Sequence, residues 1–528
     1  MPARKLPVRP DLDQYKKQAK ELLAACKSGD AVALARVAVH HRGSRLTLAD
    51  AQFVIAREHG FDSWPKFSRH IEQLVLARTV AAITDPVAAF LEAAGGPRYG
   101  FASGTLEQAE LIRQRYPEVA SNFYAAATLG DESTVRAAVT RDKTLAVAPG
   151  GPYRWDALTY LCFSRYLRLD SSRSGAFVAT AHALLEAGAN PNTGWYETID
   201  HPNPRPVFES AIYGAAGIAQ HADLTRLLLE RGADPNDEET PYHVAETRDN
   251  SVLRVLLDSG RLSASSLCTI LLRKSDWHDP DGMQLLLERG AEPNTLTLWG
   301  YTALHQAVRR DNDLSMIEML LDHGADPGLP NRDGRSSAEI AARRGRGDVL
   351  KALERRGAPA VLIGVNRLIA ACALDDRDAI LTLRSREPDL TAAIIADGGT
   401  LLAEFAGTGN IAGVRRLLEC GVDPSALYVQ GDSYFGIATR STALHVASWR
   451  AWPEVVKALI AAGTPVHATD GHGRTALMLA VKACVDSYWS WRRSPKSVAA
   501  LLEAGATPAG VELPTGYDEI DVLLARAM

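Results

Sequence analysis

The chain has 528 residues, of which 46% are hydrophobic and 23% are charged, and its formal net charge is −5. This balance is typical of a globular protein and argues against nucleic acid as the main partner. No apolar stretch is long enough to span a membrane, and the N-terminal segment 1–17 lacks the apolar core of a secretion signal. Six cysteines without a C-x-x-C pair suit a reducing compartment, so we expect a cytoplasmic protein with no membrane partner.

The N-terminal part of the chain, 1–75, predicts a module of four short helices. A candidate N-cap precedes each apolar stripe, at Asp11, at Asp30, at Thr47 or Leu48, and at Asp62 or Ser63. We expect this module to shield the apolar end of the segment that follows, as terminal units of repeat proteins do. A helical connector is predicted at 76–120.

A short phrase then recurs and marks the ends of helices. It reads LLEAGANPN at 184–192, LLERGADPN at 228–236, LLERGAEPN at 286–294 and LLDHGADPG at 320–328, with weaker copies ending at 425, 467 and 509. The leucine pair is an apolar stripe, the glycine supplies the left-handed residue that ends a helix, and the proline prevents its continuation. The recurrence predicts stacked copies of one helical unit.

The period and the start of the unit identify a family. Gly290, Gly324 and Gly357 recur at a spacing of about 33 residues, and Thr-Ala-Leu-His opens a helix at 302–305 and again at 442–445. In this order of entry, helix stripe and stop signal, residues 121–509 resemble the ankyrin-repeat family, and the N-terminal module resembles a segment found on bacterial ankyrin-repeat domain-containing proteins. The resemblance implies an all-α ankyrin-repeat α-solenoid of ten or eleven helix-loop-helix units with short hairpin or loop tips.

The ends of that solenoid are also predicted. Residues 1–75 would form an N-terminal helical cap and residues 510–528 a closing helix over the last repeat. The histidines at 243, 305 and 445 stand at the structural position of the repeat, where the ring bridges neighbouring turns. Whether the repeats form one arc, or two arcs with a break near 360–395, stays open.

Four insertions depart from the regular repeat, at 193–207, 426–440, 484–497 and 273–282. Regular units do not need them, and in repeat proteins insertions often lie on the binding face. They are rich in aromatic and arginine side chains, the types that dominate binding hot spots. We therefore predict that a protein partner contacts the following residues: Trp195, Tyr196, His201, Arg205, Tyr428, Asp432, Tyr434, Phe435, Trp489, Trp491 and Arg492. The alternative for each loop is that its aromatic cluster packs beneath the loop itself.

These features predict a non-enzymatic protein-binding scaffold, with a groove lined by the first helices of the repeats and walled by the insertions. No catalytic motif or zinc-type ligand spacing is present, so neither a catalytic residue, a cofactor nor a metal is predicted. The alternative is an enzyme or small-molecule binder with a pocket walled by the same insertions, using Asp200, His201, Arg205, Asp432 and Tyr434. A closed pocket that contains a titratable group with a raised or lowered pKa would favour this alternative, and an open groove without such a group would count against it.

Overall fold

A computed structural model describes residues 4–41, 46–95, 104–199, 205–358, 361–488 and 490–527. About 61% of the chain is helical and strands are few, which confirms the predicted all-α fold class. The chain folds into two compact units, 1–244 and 245–528. The division falls between Val244 and Ala245.

In the described part of the first unit, the secondary structure is helical apart from one hairpin and an isolated bridge between Gly150 and Trp155. Its helices are α1 (Leu12–Lys27), α2 (Ala31–Ala38), α3 (Leu48–Glu58), α4 (Trp64–Ala81), α5 (Pro86–Gly95), α6 (Glu107–Arg115), α7 (Phe123–Leu129), α8 (Glu132–Arg141), α9 (Ala157–Cys162), α10 (Arg165–Leu169), α11 (Ser174–Glu186), α12 (Ala211–Tyr213), α13 (Ala222–Glu230) and α14 (Glu239–His243). Strands β1 (Gly194–Ile199) and β2 (Arg205–Ser210) pair antiparallel, with Gly194 opposite Ser210 and Ile199 opposite Arg205. Shorter helices lie at Pro117–Ser121, Lys143–Ala146, Ser171–Arg173 and, as a π segment, Gly214–Ile218.

The N-terminal helices α1 to α4 share their own core. Tyr15 on α1, Val54 on α3 and Phe67 on α4 are buried together, and the Tyr15 and Phe67 rings meet edge to face with centroids 4.9 Å apart. Asp11, Asp30, Thr47 and Ser63 accept the N-capping hydrogen bonds of the four helices. The candidate caps and the apolar stripes together therefore located these helices, although α4 continues to Ala81, past the predicted limit at 75.

The second unit continues the helical pattern to the C-terminal end. Its helices are α15 (Ser251–Asp258), α16 (Ala264–Asp276), α17 (Pro280–Glu288), α18 (Ala303–Arg309), α19 (Leu314–Asp322), α20 (Ser337–Arg343), α21 (Gly347–Arg355), α22 (Val365–Leu374), α23 (Arg377–Arg386), α24 (Pro388–Ala396), α25 (Gly398–Thr408), α26 (Ile411–Glu419), α27 (Ala443–Trp449), α28 (Pro453–Ala461), α29 (Ala476–Val485), α30 (Lys496–Glu503) and α31 (Asp518–Ala527). Strands β3 (Leu427–Tyr428) and β4 (Ser441–Thr442) pair antiparallel, and a 3-10 turn spans Ser490–Arg492.

The repeats of the second unit stack helix on helix. First helices of successive repeats pack against each other, α16 on α18, α18 on α20, and α25 on α27. Second helices form another row, with α17 on α19 and α26 on α28. Among the described residues no single helix is long and apolar enough to cross a membrane, while α24 and α25, bent by 76° at their junction, pass that test only as a pair.

Local chemistry explains where the repeat helices begin and end. Gly324 and Gly463, after α19 and α28, take positive φ values of 87° and 89°, as a glycine C-cap requires. At the start of α18, the N–H of His305 donates to Thr302 Oγ1 at 3.3 Å, and the N–H of Thr302 donates to His305 Nδ1 at 3.3 Å. His305 Nε2 donates to the carbonyl of Arg335 in the next repeat at 3.1 Å, so this histidine links two repeats. His243 differs, since its ring pairs with Glu239 at 3.1 Å.

Replacing Thr302 by alanine is expected to lower the free energy of unfolding by about 1 kcal/mol, because the N–H of His305 loses its capping acceptor. Urea denaturation followed by circular dichroism measures the change. Thr302→Ser keeps the hydroxyl and is the matched control. Equal destabilisation by both variants would show that the methyl group of Thr302, and not its cap, stabilises this helix.

Candidate functional site

A cavity of about 880 Å³ lies on the first-helix side of the second unit. We call it the arginine pocket. Helices α18, α20 and α25 and the insertion 426–440 form its walls. Its charged and tyrosine lining residues are Tyr301, Arg309, Arg310, Asp333, Arg335, Arg343, Arg344, Asp397, Glu404, Tyr428, Asp432 and Tyr434. Residues of the insertion 426–440 therefore border a cavity.

Two arginine doublets, each a pair of adjacent residues, make the pocket wall rich in positive charge. Arg309 and Arg310 stand at the end of α18, and Arg343 and Arg344 stand at the end of α20. Because one repeat period separates the doublets, they lie at equivalent positions of adjacent repeats. Cations are favourable at helix C-termini. Sequence reasoning missed these four residues, although a search for charged pairs at the repeat period would have found them.

A buried ion cluster forms the wall behind the pocket. Asp311 accepts from Arg344 Nε at 2.9 Å and Nη2 at 2.8 Å, and from Arg450 Nη1 and Nη2 at 3.1 Å each. Glu404 pairs with Arg344 at 2.7 Å and accepts from the Tyr428 hydroxyl at 2.8 Å. Burial alone would raise the pKa of Asp311, but the two guanidinium groups lower it to about 2. The cluster thus joins a turn after α18 to the end of α27, which is 139 residues away in sequence.

At Glu404 the net pKa shift is in the opposite direction to that at Asp311. The pKa of Glu404 is raised because the loss of hydration outweighs the attraction of Arg344. Arg450 is buried as well, and burial lowers the pKa of its guanidinium despite the contact with Asp311. Asp311, Glu404 and Arg450 have shifted pKa values, and each of them belongs to an ion pair of this cluster. Such pairing indicates a structural role more than a catalytic one.

The insertion 426–440 packs against its own chain. Tyr428 and Phe435 are only 7% and 4% exposed. The Phe435 ring centroid lies 4.0 Å from Arg450 Cζ and 5.2 Å from Arg344 Cζ, and its carbonyl accepts from Trp449 Nε1 at 2.5 Å. The Phe435 ring is covered by intramolecular contacts, so the expectation that it is a partner anchor is wrong. Tyr428 is nearly buried, and it contributes to the wall of the pocket.

Tyr434 and Asp432 are half-buried and do line the pocket. The Tyr434 hydroxyl donates to the carbonyl of Asp276 at 2.6 Å, and Arg310 Cζ lies 3.6 Å from its ring centroid. Asp432 accepts from the N–H of Tyr434 at 3.0 Å and that of Phe435 at 3.3 Å. Both residues therefore hold the insertion in place, which leaves only part of each side chain for a ligand.

Arg309 is a lining cation that is partly buried without a carboxylate partner in the described chain. It is half-buried, lies 4.2 Å above the Tyr301 ring, and has no ion pair with any carboxylate of the described chain. Its Nη1 donates to Gln306 Oε1 at 3.2 Å. Burial lowers the pKa of Arg309, and the nearby Arg310 and Arg344 lower it further. A negative charge placed beside Arg309 would offset its burial and the repulsion from Arg310 and Arg344, and would so stabilise the charged guanidinium.

The predicted site residues of the first unit lie on the β1–β2 hairpin. Trp195 packs on Trp155 with ring centroids 5.1 Å apart, Tyr196 is 70% exposed, and Arg205 pairs with Glu238 at 2.7 Å. Asp200 and His201 lie outside the described residues. Tyr196 is therefore the accessible aromatic of this group, while Trp195 belongs in part to the local core.

Glu209 on this hairpin has strongly perturbed chemistry that the sequence did not suggest. It stands opposite Trp195 in the strand register and is 3% exposed. Burial raises its pKa to about 8, and the neighbouring Glu239 and Glu197 add to the shift. No motif marks such a residue, because only the packing of the hairpin buries it.

In the insertion 484–497 of the second unit, Trp491 is 69% exposed. Arg492 lies between two indole rings, with Cζ 4.2 Å from Trp491 and 3.9 Å from Trp452. Burial lowers the pKa of Arg492 to about 10. Trp489 lies outside the described residues.

Within the described ranges, no group of three or more histidine, cysteine, aspartate or glutamate side chains is placed to hold a metal ion.

Two segments of the chain match ankyrin families. The family described as "Ankyrin repeats (many copies)" matches residues 286–341, and "Ankyrin repeat" matches 440–471. Both matches lie in the second unit, and the first reaches the Arg309–Arg310 doublet. The chain therefore contains ankyrin repeats, as the recurrent phrase predicted.

Curated relatives share only parts of the chain. It is 33% identical over 156 residues to the B-cell lymphoma 3 protein homolog of Mus musculus, a match that covers 27% of this chain and 35% of that protein. It is 34% identical over 115 residues to the putative ankyrin repeat protein FPV031 of Fowlpox virus, covering 22% of this chain and 27% of the relative. These relatives are eukaryotic and viral, so the bacterial origin that the resemblance of the N-terminal module implied is not confirmed.

Among solved structures, the ankyrin repeat domain of Bcl-3 is 23% identical and covers 44% of this chain and 97% of that domain, with a TM-score of 0.21. The human ASB11 ankyrin repeat domain is 20% identical and covers 45% of this chain and 99% of that domain, also with a TM-score of 0.21.

Proposed function

We propose that this ankyrin-repeat protein is a scaffold that binds another protein, and that the arginine pocket of its second unit receives a segment of that partner. The observation that carries this proposal is the pocket itself, an 880 Å³ cavity bordered by three first helices and an insertion that a regular repeat does not contain. The ankyrin repeats and the similarity to the B-cell lymphoma 3 protein homolog support a protein-interaction role.

The walls of the pocket suit a preorganised binding site. The ion pairs of Asp311 with Arg344 and Arg450, and the Tyr434 contact with Asp276, hold α16, α18, α20, α27 and the insertion together before any partner arrives. A rigid receptor loses little conformational entropy on binding, so more of the contact energy appears as affinity.

Filling the pocket without changing its charge tests the proposal. Thr400 on α25 lines the cavity and is half-buried, so Thr400→Trp is expected to block it. Affinity capture with wild-type and variant proteins, quantified by mass spectrometry, should yield a partner that the wild type retains and Thr400→Trp loses at least tenfold. The matched control is Thr382→Trp, at an exposed position on α23, which should retain the partner. Equal capture by all three proteins would contradict this use of the pocket.

A small anionic molecule is a second candidate occupant. The cavity volume falls within the range of about 300–1,000 Å³ that is usual for small-molecule sites. In that case, Thr400→Trp would abolish the thermal stabilisation that the small anion gives to the wild-type protein.

A further inference from the structure

We infer that the arginine pocket selects an acidic segment of its protein partner, with a side-chain carboxylate of that segment pairing with Arg309. This inference rests on the proposed function and names the chemistry of the occupant. It depends on which charges of the pocket are already paired within the chain and which are not.

Three of the five lining arginines already have carboxylate partners. Arg310 Nε pairs with Asp276 at 2.6 Å, Arg343 pairs with Asp397, and Arg344 pairs with both Asp311 and Glu404. Within the described chain, Arg309 and Arg335 have no such partner. Arg309 lies in the pocket wall, whereas Arg335 is exposed on the loop before α20. The pocket therefore offers a ligand two cations without carboxylate partners, Arg309 in the wall and Arg335 on the exposed loop.

The lining carboxylates are engaged to different degrees. Asp397 and Glu404 are paired with Arg343 and Arg344. Asp432 is held by two backbone N–H groups of its own turn, and the exposed Asp333 accepts from the Tyr301 hydroxyl at 3.1 Å. Asp432 acts on Arg309 only from beyond ion-pair distance, and its attraction ranks below the repulsion from Arg310 and Arg344. The position beside Arg309 is therefore the one at which an added carboxylate gains most.

The planar fork of Arg309 suits a carboxylate in particular. A guanidinium binds the two oxygens of a carboxylate through paired N–H groups, and such charge-assisted hydrogen bonds are about twice as strong as neutral ones. The Tyr301 ring beneath Arg309 supports the guanidinium plane from one side. The second cation, Arg335, would then contact a further acidic side chain of the same segment near the pocket rim.

A charged peptide tests this inference directly. The probe is a fluorescein-labelled oligo-glutamate octapeptide with an amidated C-terminus, and its oligo-glutamine counterpart is the neutral control. Fluorescence anisotropy at low salt should detect binding of the glutamate peptide alone. Arg309→Gln should weaken it by about tenfold or more, because a charge-assisted contact is lost. Arg335→Gln should weaken it less.

The control variant is Arg332→Gln, on the same loop as Arg335 and shortly before it. Arg332 is exposed and does not line the pocket, so this variant makes the same change in net charge without touching the site. Arg309→Lys keeps the charge but loses the fork, and an intermediate affinity is expected from it. Thermal unfolding of each variant verifies that the second unit remains folded.

Several outcomes would overturn the inference. These are no binding of the glutamate peptide by the wild type, equal effects of Arg309→Gln and Arg332→Gln, or equal binding of the glutamine peptide. Competition by inorganic phosphate at matched ionic strength would identify a small-anion site instead. If Thr400→Trp abolishes partner capture while Arg309→Gln leaves it unchanged, the proposed function holds and only the acidic character of the occupant is wrong.

Discussion

Replacing Asp311 by asparagine is expected to lower the free energy of unfolding of the second unit by about 3–5 kcal/mol. The carboxylate of Asp311 neutralises two buried guanidinium groups, those of Arg344 and Arg450. Removing one member of a buried ion cluster leaves the others without compensation, which is among the most costly single substitutions. Arg344 keeps Glu404, so the main loss is expected at Arg450.

Urea denaturation at pH 7 measures this effect, with Asp313→Asn as the control. Asp313 is close by in sequence, is exposed, and makes no ion pair within the described chain. It should therefore change stability by less than about 0.5 kcal/mol. The pKa of Asp311 is lowered from 3.8 to about 2, so its contribution is complete above pH 3.8 and is lost as the pH falls through 2. Equal unfolding curves for the two variants would contradict the central role of Asp311.

The second large effect is a loss of stability of the first unit as the pH rises, caused by Glu209. Burial raises the pKa of Glu209 from 4.5 to about 8, so the folded protein keeps a proton that the unfolded chain releases. The stabilisation is complete below pH 4.5 and is lost as the pH rises to 8. The loss amounts to about 1.4 kcal/mol per pH unit, or about 4–5 kcal/mol over the window.

Hydrogen exchange of peptides from 155–163 and 205–213, measured between pH 5 and 8.5, isolates this effect in the first unit. Glu209→Gln replaces the neutral acid with a neutral amide of similar shape and should remove most of the pH dependence. The neighbouring Glu239, Glu197, His243 and Asp237 act on Glu209 and would account for what remains. Glu238→Gln is the control, because Glu238 is 60% exposed and paired with Arg205. If Glu209→Gln keeps the full pH dependence of the wild type, another group is responsible.

The ion cluster and the ligand site of the second unit share part of their structure. Both the Asp311 cluster and the arginine pocket contain Arg344 and Glu404, so a variant that breaks the cluster also changes the pocket wall. Arg309 takes no part in those ion pairs. Its replacement should therefore affect ligand affinity with little effect on stability, and Asp311→Asn should affect both. This contrast separates recognition from folding within one repeat.

The insertion 426–440 shows which features could be predicted from the sequence and which could not. Its length and aromatic content indicated a departure from the regular repeat, and in the structure this segment borders the arginine pocket. Its residues were expected to face a partner, but Phe435 packs between Arg344 and Arg450, and Tyr434 bonds to Asp276 at the end of α16. Tyr434 and Asp276 are 158 residues apart in sequence, and no local pattern brings them together.

The sequence by itself determined the repeat, because helix caps, left-handed glycines and apolar stripes act over a few residues. Thr302, His305 and Gly324 do what their types and spacing predict. Tertiary structure decided which charges are buried and which remain unpaired, since that depends on the whole set of neighbours around each group. Nothing in the local sequence distinguishes Asp311, Glu209 or Arg309. Their surroundings lower the pKa of Asp311 to about 2 and raise that of Glu209 to about 8. The same kind of effect leaves Arg309 without a carboxylate partner in the described chain.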